Sequence, residues 1–181
     1  MTAAIVAVLR LGRVPLPTLQ GERLTLRPPR AADATALADV LAEPEVAGWW
    51  GAWDRARVRR ELVDPGGGFA IVIGDAVRGW LACEEEPDPD YRHVALDIFL
   101  AASLHGQGYG REALRVAIRH FVARGHHRFT IDPAANNERA IRAYAAVGFK
   151  PVGVMRSYER GRDGSWHDNL LMDLLAGELD G

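Results

Sequence analysis

Three glycines at alternating positions, Gly106, Gly108 and Gly110, stand between an apolar run and a helix-like run in the segment HGQGYG. Glycine allows an anion to approach the backbone without a side chain in the way. A glycine-rich loop that opens a helix also gathers backbone N–H groups and the positive end of the helix dipole at one point. The segment therefore predicts a phosphate-binding loop, with a simple glycine-rich turn as the alternative.

Two widespread phosphate-binding patterns do not fit this segment. The Walker pattern requires a lysine after its last glycine, and Lys150 is the only lysine of the chain. The dinucleotide fingerprint requires a glycine where the sequence has Arg111. It also opens a series of β-α-β units, which the order of elements in this chain does not supply.

A second segment, NNERAIRAYAAVGF, has the spacing of a helix with one functional face. Asn137, Ala140, Ile141 and Tyr144 follow one another at about one helical turn, so they line one side of that helix. Such a face can lie along an extended ligand, with the Tyr144 hydroxyl group at its reactive end. The alternative is that Tyr144 is a packed aromatic residue of the helix.

Asp97 interrupts an otherwise apolar strand segment, HVALDIFLA. A buried carboxylate in such a strand needs a partner or has a raised pKa. An unexplained charge next to an anion-binding loop is a candidate functional group. Asp97 is therefore a candidate functional residue.

The pattern around these residues predicts one mixed α/β domain. A chain of 181 residues is long enough for a single domain with one substantial core. Hydrophobic spacing and turn residues predict the order β-α-α-β-β-β-α-β-α-β-β, with parallel strands on either side of the helix after the glycines. This order indicates a single mixed, mostly antiparallel sheet with flanking helices. We expect a loose N-terminal arm over 1–20 and the domain over 21–181.

Charge and composition exclude several classes of function. The formal net charge is -2, so no broad basic field favours nucleic acid. No run approaches the roughly 18 consecutive apolar residues of a membrane span. Cys83 is the only cysteine and the histidines form no metal-binding pair, so we expect no disulfide and no metal. We expect a cytoplasmic protein, monomeric or homodimeric, without nucleic-acid or membrane partners.

The glycine segment and the Asn-led helix together resemble the GNAT superfamily of acetyl-CoA-dependent N-acetyltransferases, over roughly residues 22 to 175. The pyrophosphate loop of the superfamily reads [RQ]-x-x-G-x-[GA], which His105 to Gly110 fits at both glycine positions. Its helix motif reads N-x-x-A-I-x-x-Y-x-x-x-G-F, which is matched by Asn137, Ala140, Ile141, Tyr144, Gly148 and Phe149.

The resemblance implies that acetyl-CoA binds between strand 93–101 and strand 127–131, and that the acetyl group passes directly to a primary amine. It implies Asp97 as the base and Tyr144 as the acid for the departing thiolate. Since His105 stands where Arg or Gln is usual, we expect the backbone to carry the contact and His105→Ala to weaken binding little. The residues expected to contact the coenzyme, with the backbone N–H of Phe99 or Leu100 as oxyanion donor, are Phe99, Leu100, His105, Gly106, Gln107, Gly108, Tyr109, Gly110, Arg111, Asn137, Ala140 and Tyr144.

A finer resemblance is to the aminoglycoside 6'-N-acetyltransferase-like branch. PEVAGWWG resembles a segment beside the acceptor pocket of that branch, and Asp97 lies eight residues before His105, where the branch carries an implicated base. The acidic segment EEEPDPD favours a polycationic acceptor, with a solvated loop as the alternative. The residues expected to bind the acceptor are Trp49, Trp50, Glu84, Asp97, Asp132 and Asp168.

We therefore expect transfer of an acetyl group from acetyl-CoA to a primary amine of a small cationic acceptor, first of all the 6'-amine of an aminoglycoside, which would connect the chain to antibiotic resistance. A protein N-terminus and a hydroxylysine-type siderophore precursor are alternative acceptors, because the same features occur in relatives that use them. A non-catalytic acyl-CoA-binding sensor is the alternative outside the enzyme class. The presence of both Asp97 and Tyr144 favours an enzyme.

Overall fold

A computed structural model describes residues 16–86, 88–161 and 163–179. These residues form one sheet, whose strands are β1 (Leu19–Gln20), β2 (Thr25–Arg27), β3 (Gly68–Ile73), β4 (Ala76–Glu85), β5 (Val94–Leu100), β6 (Arg128–Ile131), β7 (Lys150–Arg160) and β8 (Trp166–Leu175). The spatial order is β1-β2-β3-β4-β5-β6-β8-β7. Only β5 and β6 pair in parallel, which confirms the mixed, mostly antiparallel sheet.

Helices cover both faces of the sheet and bury two apolar clusters. They are α1 (Asp33–Ala42), α2 (Pro44–Trp50), α3 (Arg55–Val58), which continues as a π-helical turn (Arg59–Val63), α4 (Tyr109–Ala123) and α5 (Glu138–Ala145). α4 buries the apolar stripe that its spacing predicts, and α1 to α3 enclose a separate cluster around Trp80 and Phe99. Among the described residues, no helix is both long and apolar enough to cross a membrane.

Two boundaries at the start of the domain follow from local chemistry and strand pairing. α1 ends at Ala42, just before Pro44, and Pro44 begins α2, since proline fits the first helical position, where no N–H is needed. The sheet begins at Leu19, before the expected domain start at residue 21, because β1 pairs with β2. Residues 1–15 of the expected arm lie outside the described residues.

A gap opens inside the sheet between β5 and β6. The two strands pair only at Val94 with Phe129 and at Ala95 with Thr130. β5 then stays paired with β4 as far as Leu100, while β6 pairs with β8. The glycine segment follows β5 after one short 3₁₀ turn (Ala102–Leu104), so it lies at the open end of this gap.

A buried ion pair anchors α1 to β2. The Arg27 guanidinium group donates to the Asp33 carboxylate at 2.7 and 2.8 Å, and the Arg30 N–H donates to it at 2.6 Å. Burial alone would raise the pKa of Asp33, but the hydrogen bonds from Arg27 and Arg30 hold that pKa below its ordinary value. The stabilisation from this lowered pKa is present above the unfolded pKa and is lost as the pH falls through the folded one.

We expect Asp33→Ala to lower the free energy of unfolding by about 3 kcal/mol at pH 7, because it leaves the Arg27 charge half-buried and unpaired. Urea unfolding followed by circular dichroism measures this loss. Asp39→Ala is the control, since Asp39 lies on an exposed part of the same helix and is expected to cost less than about 0.5 kcal/mol. Equal losses for the two variants would contradict the role of the ion pair.

Candidate active site

The glycine segment forms a loop of free backbone donors at the gap. Gly106 and Gly108 have φ values of 75° and 85°, in the left-handed region that favours glycine. Gly108 then precedes α4, whose first N–H groups, at 109–111, form no backbone hydrogen bond with a described residue. Such unpaired donors at the positive end of a helix dipole form an anion site.

The surroundings of this loop fit a pyrophosphate group. A Cβ atom added to Gly106 would meet no atom within 4 Å, so the space over the loop is open. A Cβ atom added to Gly108 would lie 3.3 Å from Arg23 Nη2 and 3.4 Å from Arg111 Nη2. Open backbone donors bordered by two guanidinium groups provide the chemistry that a pyrophosphate requires.

Arg23 is a site residue that the sequence analysis missed. Its Nη1 donates to the Gln107 carbonyl at 3.0 Å, and its guanidinium carbon lies 4.4 Å from the centre of the Tyr109 ring. Its Nε donates to Glu112 of α4 at 2.8 Å. These contacts join positions 84 and 89 residues apart in the chain, so local spacing carries no signal for them.

His105 uses both of its ring nitrogens within the protein. Arg139 Nη1 of α5 lies 2.8 Å from His105 Nδ1, and His105 Nε2 lies 3.0 Å from the Leu100 carbonyl oxygen. Because arginine can only donate, Nδ1 is the acceptor and Nε2 carries the proton. Burial, followed by the Arg139 charge, lowers the pKa of His105. His105 is therefore a neutral link between β5 and α5.

The hydrogen-bond pattern of β5 identifies which backbone N–H faces the gap. The Ala101 N–H donates to the Arg78 carbonyl at 2.8 Å, and β4 and β5 pair without a bulge. Since the N–H groups of an antiparallel strand alternate in direction, the Phe99 N–H also points towards β4. The expectation that Phe99 donates to the coenzyme is therefore wrong for its N–H, which lies in the ladder. Leu100 is the candidate oxyanion donor that faces the gap.

The Asp97 carboxylate lies on the gap and can be reached from it. Its Oδ1 accepts a hydrogen bond from the Ile98 N–H at 2.9 Å. Surrounding protein raises the pKa of Asp97 to about 7, and the charges of Asp132 and Glu159 act in the same direction against the Ile98 hydrogen bond. A carboxyl group that ionises near neutral pH is suited to general base catalysis.

Asp97 belongs to an acidic wall that consists of Glu84, Asp97, Asp132 and Glu159. Asn169 Nδ2 donates to the Asp132 carbonyl at 2.9 Å and to its carboxylate at 3.1 Å, and lies 3.4 Å from Glu159 Oε2. Burial raises the pKa of Asp132; the hydrogen bond from Asn169 opposes this shift and the Glu159 charge adds to it. Glu84 lies opposite Ala95, on the sheet face that carries Asp97. The wall is suited to a cationic acceptor.

Asp168 contacts the backbone of β7. Its Oδ1 accepts a hydrogen bond from the Ser157 N–H at 2.8 Å. Ser157 has a φ of 49°, a left-handed conformation that is unusual for a residue other than glycine, and it lies in a register shift of β7. Asp168 therefore supports the bend of β7 before Glu159, and its contact with the acceptor stays a prediction.

The two adjacent tryptophans of α2 separate, as helix geometry requires. The Trp50 ring centroid lies 4.9 Å from that of Phe99, edge to face, so Trp50 packs against the apolar cluster, and its contact with the acceptor stays a prediction. Trp49 is 43% exposed, which makes it the more accessible candidate of the pair. It borders an open cleft of about 400 Å³, which is lined by Glu45, Trp49, Asn136, Asn137, Glu138 and Arg139.

α5 presents Tyr144 to the acidic wall. Asn137 caps this helix, since its Oδ1 accepts a hydrogen bond from the Ala140 N–H at 3.1 Å. Burial raises the pKa of Tyr144, as do the charges of Asp97 and Asp132, so its hydroxyl group stays protonated at neutral pH. No hydrogen bond joins this hydroxyl to another residue of the described chain, so it remains available as a donor.

We expect Tyr144→Phe to lower kcat about tenfold and to change the Kd for coenzyme A less than about twofold, because only proton donation to the leaving thiolate is lost. Steady-state thiol release and a binding titration measure the two quantities. Tyr91→Phe is the control, because Tyr91 is 73% exposed. An unaltered kcat for Tyr144→Phe would mean that solvent protonates the thiolate.

The comparison with protein families agrees with this geometry. The sequence profile of the Acetyltransferase (GNAT) domain matches residues 23–150, which include the glycine loop, Asp97 and Tyr144. The chain belongs to the GNAT acetyltransferase family. A GNAT enzyme takes its acetyl group from acetyl-CoA, and the loop described above fits the pyrophosphate of that donor. A comparison with proteins of curated function gave no significant match.

Solved GNAT structures share the fold over nearly the whole chain. The acetyltransferase (GNAT family) from Bacillus anthracis has a TM-score of 0.79 and 15% identity, covering 90% of this chain and 100% of that one. Mycobacterium smegmatis RimJ in complex with CoA-disulfide has a TM-score of 0.77 and 26% identity, covering 91% and 90%. The ribosomal-protein-S5-alanine acetyltransferase from Vibrio fischeri has a TM-score of 0.70 and 20% identity, covering 92% and 100%.

Within the described residues, no group of three or more His, Cys, Asp or Glu side chains has the arrangement of a metal site. The site of this GNAT enzyme instead combines an anion-binding loop, a carboxyl group with a raised pKa, a tyrosine hydroxyl group and a free strand N–H.

Proposed function

We propose that this GNAT enzyme acetylates the α-amino group of a protein N-terminus. The observation that carries the proposal is the position of the Asp97 carboxyl group, which lies on the gap with the charges of Asp132 and Glu159 acting on it and can take the proton of a cationic amine. An α-amino group, with a pKa of about 7.7–8.0, gives up that proton more readily than a lysine side chain, with a pKa of about 10.4.

The similarity to RimJ from Mycobacterium smegmatis supports the same proposal. The Vibrio fischeri structure is described as an alanine acetyltransferase of ribosomal protein S5, although its 20% identity carries only the fold. The aminoglycoside-like features of the sequence, such as the Trp-Trp-Gly segment, give weaker support to an aminoglycoside acceptor. The reason is that Trp50 packs against Phe99 and Asp168 binds the Ser157 backbone.

In this proposal each group has one task. Acetyl-CoA supplies the acetyl group as an activated thioester. Leu100 directs its N–H towards the thioester oxygen and stabilises the negative charge that develops there. Asp97 accepts the proton of the attacking amine, directly or through water, and Tyr144 donates a proton to the sulfur. The loop and α5 hold the donor beside the amine, so positioning contributes much of the rate.

A second candidate acceptor is the 6'-amine of an aminoglycoside. The acidic wall favours it, since Glu84, Asp132 and Glu159 place negative charge around Asp97 and an aminoglycoside carries several ammonium groups. The same wall is also compatible with one cationic N-terminus, so the acceptor has to be distinguished by assay.

A thiol-release assay with purified enzyme tests the proposal. The acceptors are peptides with a free N-terminus, the same peptides with a blocked N-terminus and a free lysine, aminoglycosides and hydroxylysine. We expect kcat/KM to be highest for free N-termini and near background for blocked peptides. Turnover of aminoglycosides without turnover of peptides would favour the second candidate, and coenzyme A binding without any turnover would indicate a sensor.

A further inference from the structure

Arg139 carries a positive charge at the edge of the coenzyme loop without forming an ion pair. Among the described residues, its side chain forms one hydrogen bond, of 2.8 Å, to His105 Nδ1. Glu138 lines the same cleft but pairs with Arg142, and no ion pair joins Glu45 to Arg139 in the described chain. The remaining N–H donors of an exposed guanidinium group are therefore free to bind an anion.

His105 holds this guanidinium group on the loop. The imidazole ring is fixed at both ends, by the Leu100 carbonyl at 3.0 Å and by Arg139 at 2.8 Å. Because the ring is neutral, it accepts a hydrogen bond from Arg139 without compensating its charge. The link connects the last residue of β5 with α5 across 34 positions of the chain.

This link gives a physical reason for the irregular first position of the loop. The pattern has Arg or Gln there, whereas this chain has His105 with its ring nitrogens already occupied. The cationic side chain next to that position instead comes from α5. The Arg139 guanidinium group thus places, from α5, a positive charge beside the first position of the loop, where His105 is neutral.

We propose that Arg139 binds the pyrophosphate of acetyl-CoA from α5, and that His105 is the positioning residue that holds its guanidinium group against the glycine loop. The proposal rests on the proposed function, because it assumes that the loop binds coenzyme A. It assigns to Arg139 of α5 a pyrophosphate contact that the loop motif places at its own first residue.

The test compares three ligands. Coenzyme A contains the pyrophosphate, dephospho-coenzyme A keeps the pyrophosphate but lacks the 3'-phosphate, and pantetheine lacks the pyrophosphate together with the adenosine. We expect Arg139→Gln to raise the Kd for coenzyme A about tenfold, as for the loss of a charged hydrogen bond, and to leave the Kd for pantetheine unchanged. The effect of Arg139→Gln on coenzyme A should recur with dephospho-coenzyme A; an effect confined to coenzyme A would assign the contact to the 3'-phosphate and contradict the proposal. Added salt should weaken coenzyme A binding more steeply in the unaltered protein than in this variant. Isothermal titration calorimetry measures each Kd.

Three variants separate charge, positioning and fold. Arg142→Gln is the matched control on α5, because Arg142 pairs with Glu138 in an exposed position, and the Kd of this variant should not change. Arg139→Lys should retain part of the affinity. His105→Ala should raise the Kd about threefold, more than the sequence alone led us to expect, and should add nothing to Arg139→Gln, because His105 acts through Arg139.

The outcomes are distinguishable. Failure of the unaltered protein to bind coenzyme A would contradict the proposed function, and with it the assignment of Arg139. If the unaltered protein binds but Arg139→Gln has no effect, or weakens coenzyme A and pantetheine equally, the pyrophosphate contact is wrong. Additive losses in the His105 and Arg139 double variant would overturn the positioning role of His105.

Discussion

Asp97→Asn is expected to lower kcat at least about a hundredfold, while the Kd for coenzyme A changes less than about twofold. Asparagine keeps the size of the side chain and an oxygen for the Ile98 N–H, but it cannot accept the proton of the amine. Steady-state rates and a binding titration on the same preparation measure the two effects. Asp90→Asn is the control for the change of charge, because Asp90 lies in the exposed acidic connection before β5.

The pH dependence of the rate is a second test of Asp97 as the base. Burial and the neighbouring carboxylates raise the pKa of Asp97 to about 7, and the base is active only when deprotonated. The rate should therefore rise with pH through about 7, and this rise should be absent from the residual activity of Asp97→Asn. A rise that persists in the variant would assign the titration to another group, and an unchanged kcat would remove Asp97 from the mechanism.

The raised pKa also has a consequence for stability. The folded protein binds the Asp97 proton more tightly than the unfolded chain does, so stability falls as the pH rises from the unfolded pKa to the folded one. Asp97→Asn removes this penalty and should raise Tm more at pH 8 than at pH 4. Such a gain in stability with a loss of activity is typical of a functional group held in an unfavourable environment.

Gly106→Val is expected to raise the Kd for coenzyme A at least about a hundredfold, because several charge-assisted backbone contacts would be lost together. Gly106 has a φ of 75°, and the space around its Cβ position is empty, so valine would project into the opening over the loop. A thermal-shift titration with coenzyme A and calorimetry measure the loss.

Gly74→Val is the matched control for this loop variant. Gly74 has a φ of 60° and equally open surroundings, but it lies in the turn between β3 and β4. Both variants place a β-branched residue in the left-handed region and should cost about 1–2 kcal/mol of stability. Only Gly106→Val should raise the Kd for coenzyme A. Equal Kd values for the two variants would contradict the binding of the coenzyme by the glycine loop.

The sequence predicted the parts of the site that depend on local order. The sequence shows three local patterns: glycines before a helix, an Asn-led helix and a carboxylate in an apolar strand. The structure places Gly106, Asp97 and Tyr144, one residue from each, around one gap. The order of the longer strands followed from the same alternation.

The parts that the sequence could not predict depend on contacts between distant segments. Arg23 meets Gln107 across 84 positions, and Asn169 meets Asp132 across 37. Phe99 and Leu100 are adjacent apolar residues, and only the pairing of β5 with β4 shows which N–H is free. No periodic pattern in the sequence carries this information, because it depends on which strands pair in the folded sheet.

The two rungs that join β5 to β6 divide the sheet into a five-stranded part and a three-stranded part. One apolar cluster joins the two parts as well, since it packs residues of both against α4. Each inner edge also has the open backbone groups of a sheet edge, which normally recruit another strand. A slender ligand with its own amide groups would therefore act on this fold as a missing strand, and its binding energy would stiffen the whole domain.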